Sequence, residues 1–241
     1  MAPFATIYTY PNNIRVQRAQ AVAKLNNLEV LEDNDFQLGN PSDPKWASIL
    51  SKFPLGKVPA LSTADGSLNL TEGQAIVRFL AESGPKADQL LGRTVTDRAL
   101  IEQWACFAEQ ELMANLIPPM LMIHRPDLVP YGKEGYDSFA SKFERAVKFV
   151  EKSLEGGKRF LVGEEVTVAD IMVAGPLILA SKLLLDAEMK KNSAPSVEGY
   201  LRGLLEVPEL KEAFGGWLLS RRGCVVRLSK VQGWVDDDTI G

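Results

Sequence analysis

Residues 53–61 read FPLGKVPAL, and residues 70–76 read LTEGQAI. The first stretch reads as a loop that enters a strand through Val58-Pro59. The second reads as the end of a strand and the start of a helix. The free N–H groups and dipole at a helix N-terminus favour an anion. A strand edge beside a proline adds backbone groups that pair with a peptide. Together the two stretches form a place for a small peptide-like anion, and the rest of the chain reads as its scaffold.

Upstream, Phe4 to Tyr10 alternates β-formers and reads as a strand. Pro11-Asn12-Asn13 breaks it, with Asn12 or Asn13 as a candidate helix cap. Ile14 to Leu25 carries Val16, Ala19, Val22 and Ala23 at helical spacing. Leu28 to Asp35 returns to an extended pattern, and the crossover is long enough for parallel pairing. Ser42-Asp43-Pro44 reads as a helix start with proline in the first turn, leading through Trp46, Ile49 and Leu50. Lys57 to Ser62 is the third strand, Asp65-Gly66 a hairpin turn, and Leu68 to Leu70 a returning strand. Thr71-Glu72-Gly73-Gln74 fits a capping box, and its helix runs to about Ser83, before Gly84-Pro85.

Downstream, a stretch near 84–93 reads as a linker. From Thr94 helical periodicity dominates. Asp97 to Ile117 is expected to be one helix ended by Pro118-Pro119. Tyr136 to Leu154 is a second, with Phe139, Phe143, Val147 and Val150 on one stripe, closed by Gly156-Gly157. Thr167-Val168-Ala169-Asp170 reads as another capping box, opening an apolar helix that Pro176 should kink. Two further helical stretches follow, near 195–205 and 208–221. The tail Ser229 to Gly241 has no clear pattern. The expected domains are therefore 1–83, α/β, and 94–241, all-helical.

Composition narrows the function. A chain of 241 residues with 46% hydrophobic and 24% charged residues can bury a substantial core. Its net charge of -4 is spread along the sequence and lacks the basic footprint of a nucleic-acid binder. Cys106 and Cys224 are far apart, without metal or disulfide spacing. The single histidine, His124, leaves little material for a histidine-based metal site or a Ser-His-Asp triad. Neither a signal peptide nor a window of ~20 apolar residues is visible. A cytoplasmic location is expected, with no nucleic-acid or membrane partner and no metal.

A small βαβ-ββα domain before an all-helical one resembles the cytosolic glutathione transferases. GKVPAL (56–61), TEGQAI (71–76) and FLVGEEVTVADI (160–171) carry the match across both domains. YTYPNNIR near the start and QWACFAEQEL (103–112) are similar to the transferase-like portion of elongation factor 1B gamma and to fungal transferases of that type. The resemblance implies a thioredoxin-like N-terminal domain, an all-α C-terminal domain, glutathione as cofactor or co-substrate, and a homodimer.

It also implies roles for particular residues. Val58, before a cis Pro59, would pair its backbone with the cysteinyl segment of glutathione; by sequence propensity alone a trans proline is favoured. Glu72 and Gly73 would hold the γ-glutamyl end, and Lys57, or less directly Lys45, the glycyl carboxylate. The family pattern places serine where this chain has Gly73, so one hydroxyl donor is missing unless Gln74 or Thr71 replaces it. The thiol has a pKa of ~8.5, and lowering it by two units needs ~2.7 kcal/mol. In the zone where relatives carry tyrosine, serine or cysteine, this chain offers Asn12 or Asn13 first and Tyr10 second, with Arg15 adding charge. A hydrophobic small-molecule substrate is expected between the domains, near Trp104, Phe107, Glu111 and His124, with Met120 and Ile123 nearby. Three activities follow from the resemblance: conjugation of an unsaturated electrophile, as in fungal secondary metabolism; cis-trans isomerisation of a conjugated alkene with glutathione unconsumed; or a non-enzymatic interaction domain.

Overall fold

The computed structural model describes residues 2–183 and 194–215. The end of the helical stretch expected to reach 221, the tail 229–241 and Cys224 lie outside the described residues.

Four short strands form one sheet: β1 (Ala5–Tyr8), β2 (Val30–Asp33), β3 (Ala60–Thr63) and β4 (Asn69–Thr71), in the order β2-β1-β3-β4. β1 and β2 are parallel, joined by the helix α1 (Ile14–Leu25), whereas β3 runs antiparallel to both β1 and β4. Period-two alternation sends Ala5, Ile7 and Leu61 to one face, into the main core with α1 and α3 (Gly73–Glu82). Ala60 and Tyr8 face the other way. There they meet Trp46, Ile49 and Phe53 of the helix α2 (Pro44–Lys52) and its cap. The strands are shorter than the sequence pattern suggests, and β4 lies one residue further on, so that Thr71 pairs with Ala60.

The stretch expected to be a linker holds a short helix, α4 (Ala87–Leu91). Leu90 and Leu91 are buried in the main core, so it is packed chain rather than a free connector. The helices α5 (Val95–Phe107) and α6 (Ala114–His124) are joined without a break by a π-helical turn over Ala108–Met113. Thr94 and Asp97 cap α5 reciprocally. Pro118 and Pro119 lie inside α6 instead of ending it. Each proline removes one backbone hydrogen bond. Burial of Leu116 and Pro119 against the core nevertheless holds the helix together, since packing outweighs propensity.

The remaining helices are α7 (Lys133–Ser153), α8 (Val168–Leu183), α9 (Pro195–Leu204) and α10 (Pro208–Phe214). α8 is apolar on nearly every side and buried from Val168 to Ala180. It packs against both α5 and α1, and so joins the helical half to the sheet half. Among the described residues no helix is long and apolar enough to cross a membrane.

Candidate functional site

The loop from α2 to β3 turns at Gly56, whose φ is +61° and whose missing side chain leaves room for Leu50 and Trp46. The next residues, Val58 and Pro59, lead into the start of β3 through a cis peptide bond, as the family resemblance implies. Lys57 is exposed beside them and makes no ion pair among the described residues. Lys45 is committed elsewhere, 2.9 Å from Asp33 and 3.6 Å from Asp35.

Thr71 does not cap α3, contrary to the sequence reading. Its backbone belongs to the β ladder. Glu72 is the cap residue, at φ +66°, and makes no side-chain capping bond. The first internal helical bond runs from the Ile76 N–H to the Glu72 carbonyl. The amides ahead of it are the unpaired donors of a helix start. Gln74 does not stand in for the absent serine, because its amide donates to Glu102 on α5 at 2.7 Å. Glu102 also receives Arg78 at 3.3 Å, so this corner ties α3 to α5.

At the end of β1 the two asparagines separate. Asn12 is exposed, at φ +62°, a left-handed conformation that asparagine tolerates better than most residues. Asn13 is 3% exposed and caps α1. Its oxygen accepts the Arg15 N–H at 3.0 Å, and its amide donates to the Thr9 hydroxyl at 3.3 Å. Buried and doubly engaged, Asn13 shapes the helix start. Asn12, and Tyr10 at 45% exposed, remain open.

The π turn adds residues that the sequence reading missed. It points Glu109 at α1, where its carboxylate lies 2.5 Å from Arg18 and 4.0 Å from Arg15. Arg18 is fully buried. Its Nη1 reaches the Met172 carbonyl at 3.4 Å, and its Nε has no partner among the described residues. Burial pulls its pKa down and the Glu109 carboxylate pushes it back up. π turns within helices often mark functional positions, which is a signal only the backbone carries.

Gly175 on α8 makes room for this arginine. A Cβ there would lie 2.7 Å from the Arg18 Cδ and 3.0 Å from its Cγ. Helix propensity favours Gly175→Ala by ~1 kcal/mol. Overpacking wins instead, and the substitution is expected to destabilise the fold by about 1–3 kcal/mol. A lower urea midpoint at unchanged slope is the readout, and a raised midpoint would refute it.

Of the residues expected to line a second-substrate pocket, Trp104 and Phe107 come together. Trp104, Phe107 and Phe149 of α7 form an aromatic cluster with centroids 5.1–5.4 Å apart. Glu111 faces Arg145 of α7 at 3.5 Å. His124 is exposed at the end of α6. Residues two apart on a helix point to opposite sides, so Glu109 faces α1 while Glu111 faces α7.

Comparison with known proteins agrees with this architecture. The family model described as Glutathione S-transferase, N-terminal domain, matches residues 4–82. That of the C-terminal domain matches residues 107–208. A Glutathione S-transferase-like protein, LUC7, of Fusarium sp is 39% identical over 215 residues, covering 89% of this chain and 94% of that protein. Elongation factor 1-gamma of Carassius auratus is 31% identical over 87% of this chain, which spans only 46% of that protein. Among solved structures, the glutathione transferase URE2P6 of Phanerochaete chrysosporium, in complex with oxidized glutathione, superposes with a TM-score of 0.76 at 21% identity, covering 89% of this chain and 96% of that one. With the sheet order, the cis Val58-Pro59 bond and both domain matches in agreement, the chain belongs to the glutathione S-transferase family.

Proposed function

We propose that this protein binds glutathione along Val58 and at the start of α3, and directs its thiolate at a small, unsaturated, hydrophobic electrophile. The observation that carries the reading is the pairing of a cis Val58-Pro59 bond at the start of β3 with an α3 N-terminus whose cap residue, Glu72, makes no side-chain bond. The backbone of Val58, ahead of the paired residues of β3, offers donor and acceptor to a peptide. The helix start offers amides and a favourable dipole to a carboxylate. Lys57, exposed and without an ion-pair partner among the described residues, suits the glycyl carboxylate.

Glutathione supplies the nucleophilic thiol. The chain's contribution is orientation, together with donors near the start of α1 that favour the thiolate over the thiol. Asn12 and Tyr10 are the exposed side chains there. The reading includes a homodimer and a fungal secondary-metabolism role. A second reading, a non-enzymatic interaction domain, draws on the likeness to elongation factor 1-gamma.

Calorimetry with reduced glutathione separates the two readings, and binding in the micromolar to millimolar range is expected. Incubation with glutathione and electrophilic alkenes, followed by mass, separates the chemistry. A conjugate mass is the expected product. An isomer of unchanged mass with glutathione intact would replace transfer by isomerisation. No heat of binding would leave the interaction domain.

A further inference from the structure

We propose that Thr9 is a positioning residue for the glutathione thiolate: its buried hydroxyl closes the loop from β1 to α1 into a rigid frame, and so fixes the exposed groups that meet the thiol. The inference rests on the glutathione reading above, in which the thiol lies against the start of α1, and adds the residue that holds that wall in place.

Thr9 follows β1 and is 1% exposed. Its N–H donates to the Asp33 carbonyl at 2.9 Å, so its backbone extends the pairing of β1 with β2. Its hydroxyl serves the loop. It donates to the Tyr10 carbonyl at 3.1 Å and accepts the Asn13 amide at 3.3 Å. A hydroxyl carries one proton and two lone pairs, so it satisfies both partners at once. Asn13 in turn caps α1 through the Arg15 N–H at 3.0 Å, and its carbonyl receives the Val16 and Gln17 N–H groups at 2.9 and 3.0 Å. One buried bond between side chains thus ties the end of the sheet to the first turn of the helix.

Between the two anchors lie Tyr10, Pro11 and Asn12, all exposed. Proline fixes one backbone angle of this bridge. Asn12 sits at φ +62°, a conformation that persists only where the surroundings hold it. The Thr9–Asn13 bond spans Asn12 and restricts its alternatives. It acts on the direction of the loop's donors and not on their number. A donor fixed before the ligand arrives needs no reorganisation when charge gathers on sulfur. Without the Thr9 hydroxyl, the Asn13 amide and the Tyr10 carbonyl lose their shared partner, and the loop relaxes toward ordinary backbone angles. Valine keeps nearly the shape of threonine, so Thr9→Val changes no charge: Tyr10, Arg15 with its neighbour Glu109, and Asp33 with Lys45 all stay.

The test is an ultraviolet titration of the thiolate of glutathione bound to the full chain, with calorimetry for affinity. Thr9→Val is expected to move the titration to higher pH and to leave roughly 3- to 10-fold less thiolate at a fixed pH below the thiol's pKa. In mildly acidic solution, where the thiol keeps its proton in either variant, affinity should stay within about twofold. Thr9→Ser restores the hydroxyl and should return the titration to its wild-type position. Asn13→Ser keeps a helix cap but is too short to reach Thr9, and should reproduce most of the shift. Combining it with Thr9→Val should add little, because both cut one bond. Should Thr9→Val fail to fold, Asn13→Ser carries the test. An unmoved titration in a folded variant, or a serine at position 9 that fails to restore it, overturns the role of Thr9 and leaves the glutathione reading intact. Bound glutathione whose thiol titrates as in free solution also overturns this inference alone. Wild-type protein that binds no glutathione overturns that reading, and this inference with it.

Discussion

Replacing Glu109 by alanine is expected to destabilise the fold by about 3–5 kcal/mol, the range for a buried charge stripped of its partner. Arg18 has no access to solvent, and Glu109 supplies the only carboxylate hydrogen-bonded to it among the described residues. Its remaining contact, to the Met172 carbonyl at 3.4 Å, is long. The effect is asymmetric. Arg18→Met removes the charge and keeps most of the volume. Glu109 is left a quarter exposed, with Arg15 still nearby, so this variant should cost about 1 kcal/mol or less. Urea unfolding of the two variants gives the comparison. Equal losses would show that Arg18 is held by packing of its stem and not by the ion pair. Because Arg18 is on α1 and Glu109 on the π turn, the pair also fastens the sheet half to the helical half beside the proposed glutathione trough.

Asp170→Ala is the second large effect, expected at about 3–5 kcal/mol. The Asp170 carboxylate is buried at the start of α8 and accepts from the Leu161 N–H at 2.9 Å, the Thr167 N–H at 2.9 Å, the Thr167 hydroxyl at 3.1 Å and the Tyr200 hydroxyl at 2.8 Å. Burial pushes its pKa up, and these donors oppose the shift. Alanine leaves the donors buried without an acceptor, each at a cost of about 1–3 kcal/mol. Asparagine restores one oxygen and should recover roughly half of the loss. Three segments meet at this carboxylate: the loop before α8, α8 itself and α9. Its loss should therefore lower the midpoint of the whole cooperative transition. If Asp170→Ala and Asp170→Asn lose stability equally, the hydrogen bonds are not what the site contributes.

Local chemistry made much of the chain legible before any contact was known. The helix of residues 14–25 follows from its apolar spacing, and Asn13 caps it as the Pro-Asn-Asn break suggests. Asp43 and Pro44 start α2, and Gly156 and Gly157 take positive φ beyond α7 as a helix end requires. The TVAD stretch opens α8 with Thr167 bonded to Asp170. These are decisions of a few neighbouring residues.

Other features turned on partners far along the chain. Propensity read the prolines of α6 as a stop, but the apolar face around Leu116 outweighed them. Thr71 looked like a cap until pairing with Ala60 claimed its backbone for β4. Glu109 and Glu111 are two residues apart in one acidic stretch. Only the packing of α1 on one side and α7 on the other decides that the first meets Arg18 and the second Arg145. Arg18 reads as an ordinary solvated cation in sequence, because its burial comes from α8 and the π turn, more than ninety positions away in the chain.

By itself the sequence determined the order of the strands and of the helices around them up to residue 83, the start of α2 at Asp43-Pro44, and the two stretches that meet at the proposed glutathione trough. The tertiary structure alone decided which side chains stay free at that trough. It buried Asn13, spent Gln74 on Glu102 and laid the stem of Arg15 across Gly73. The physical reason is range. Capping and periodicity are settled within a turn of helix, whereas the availability of a donor depends on every group folded against it.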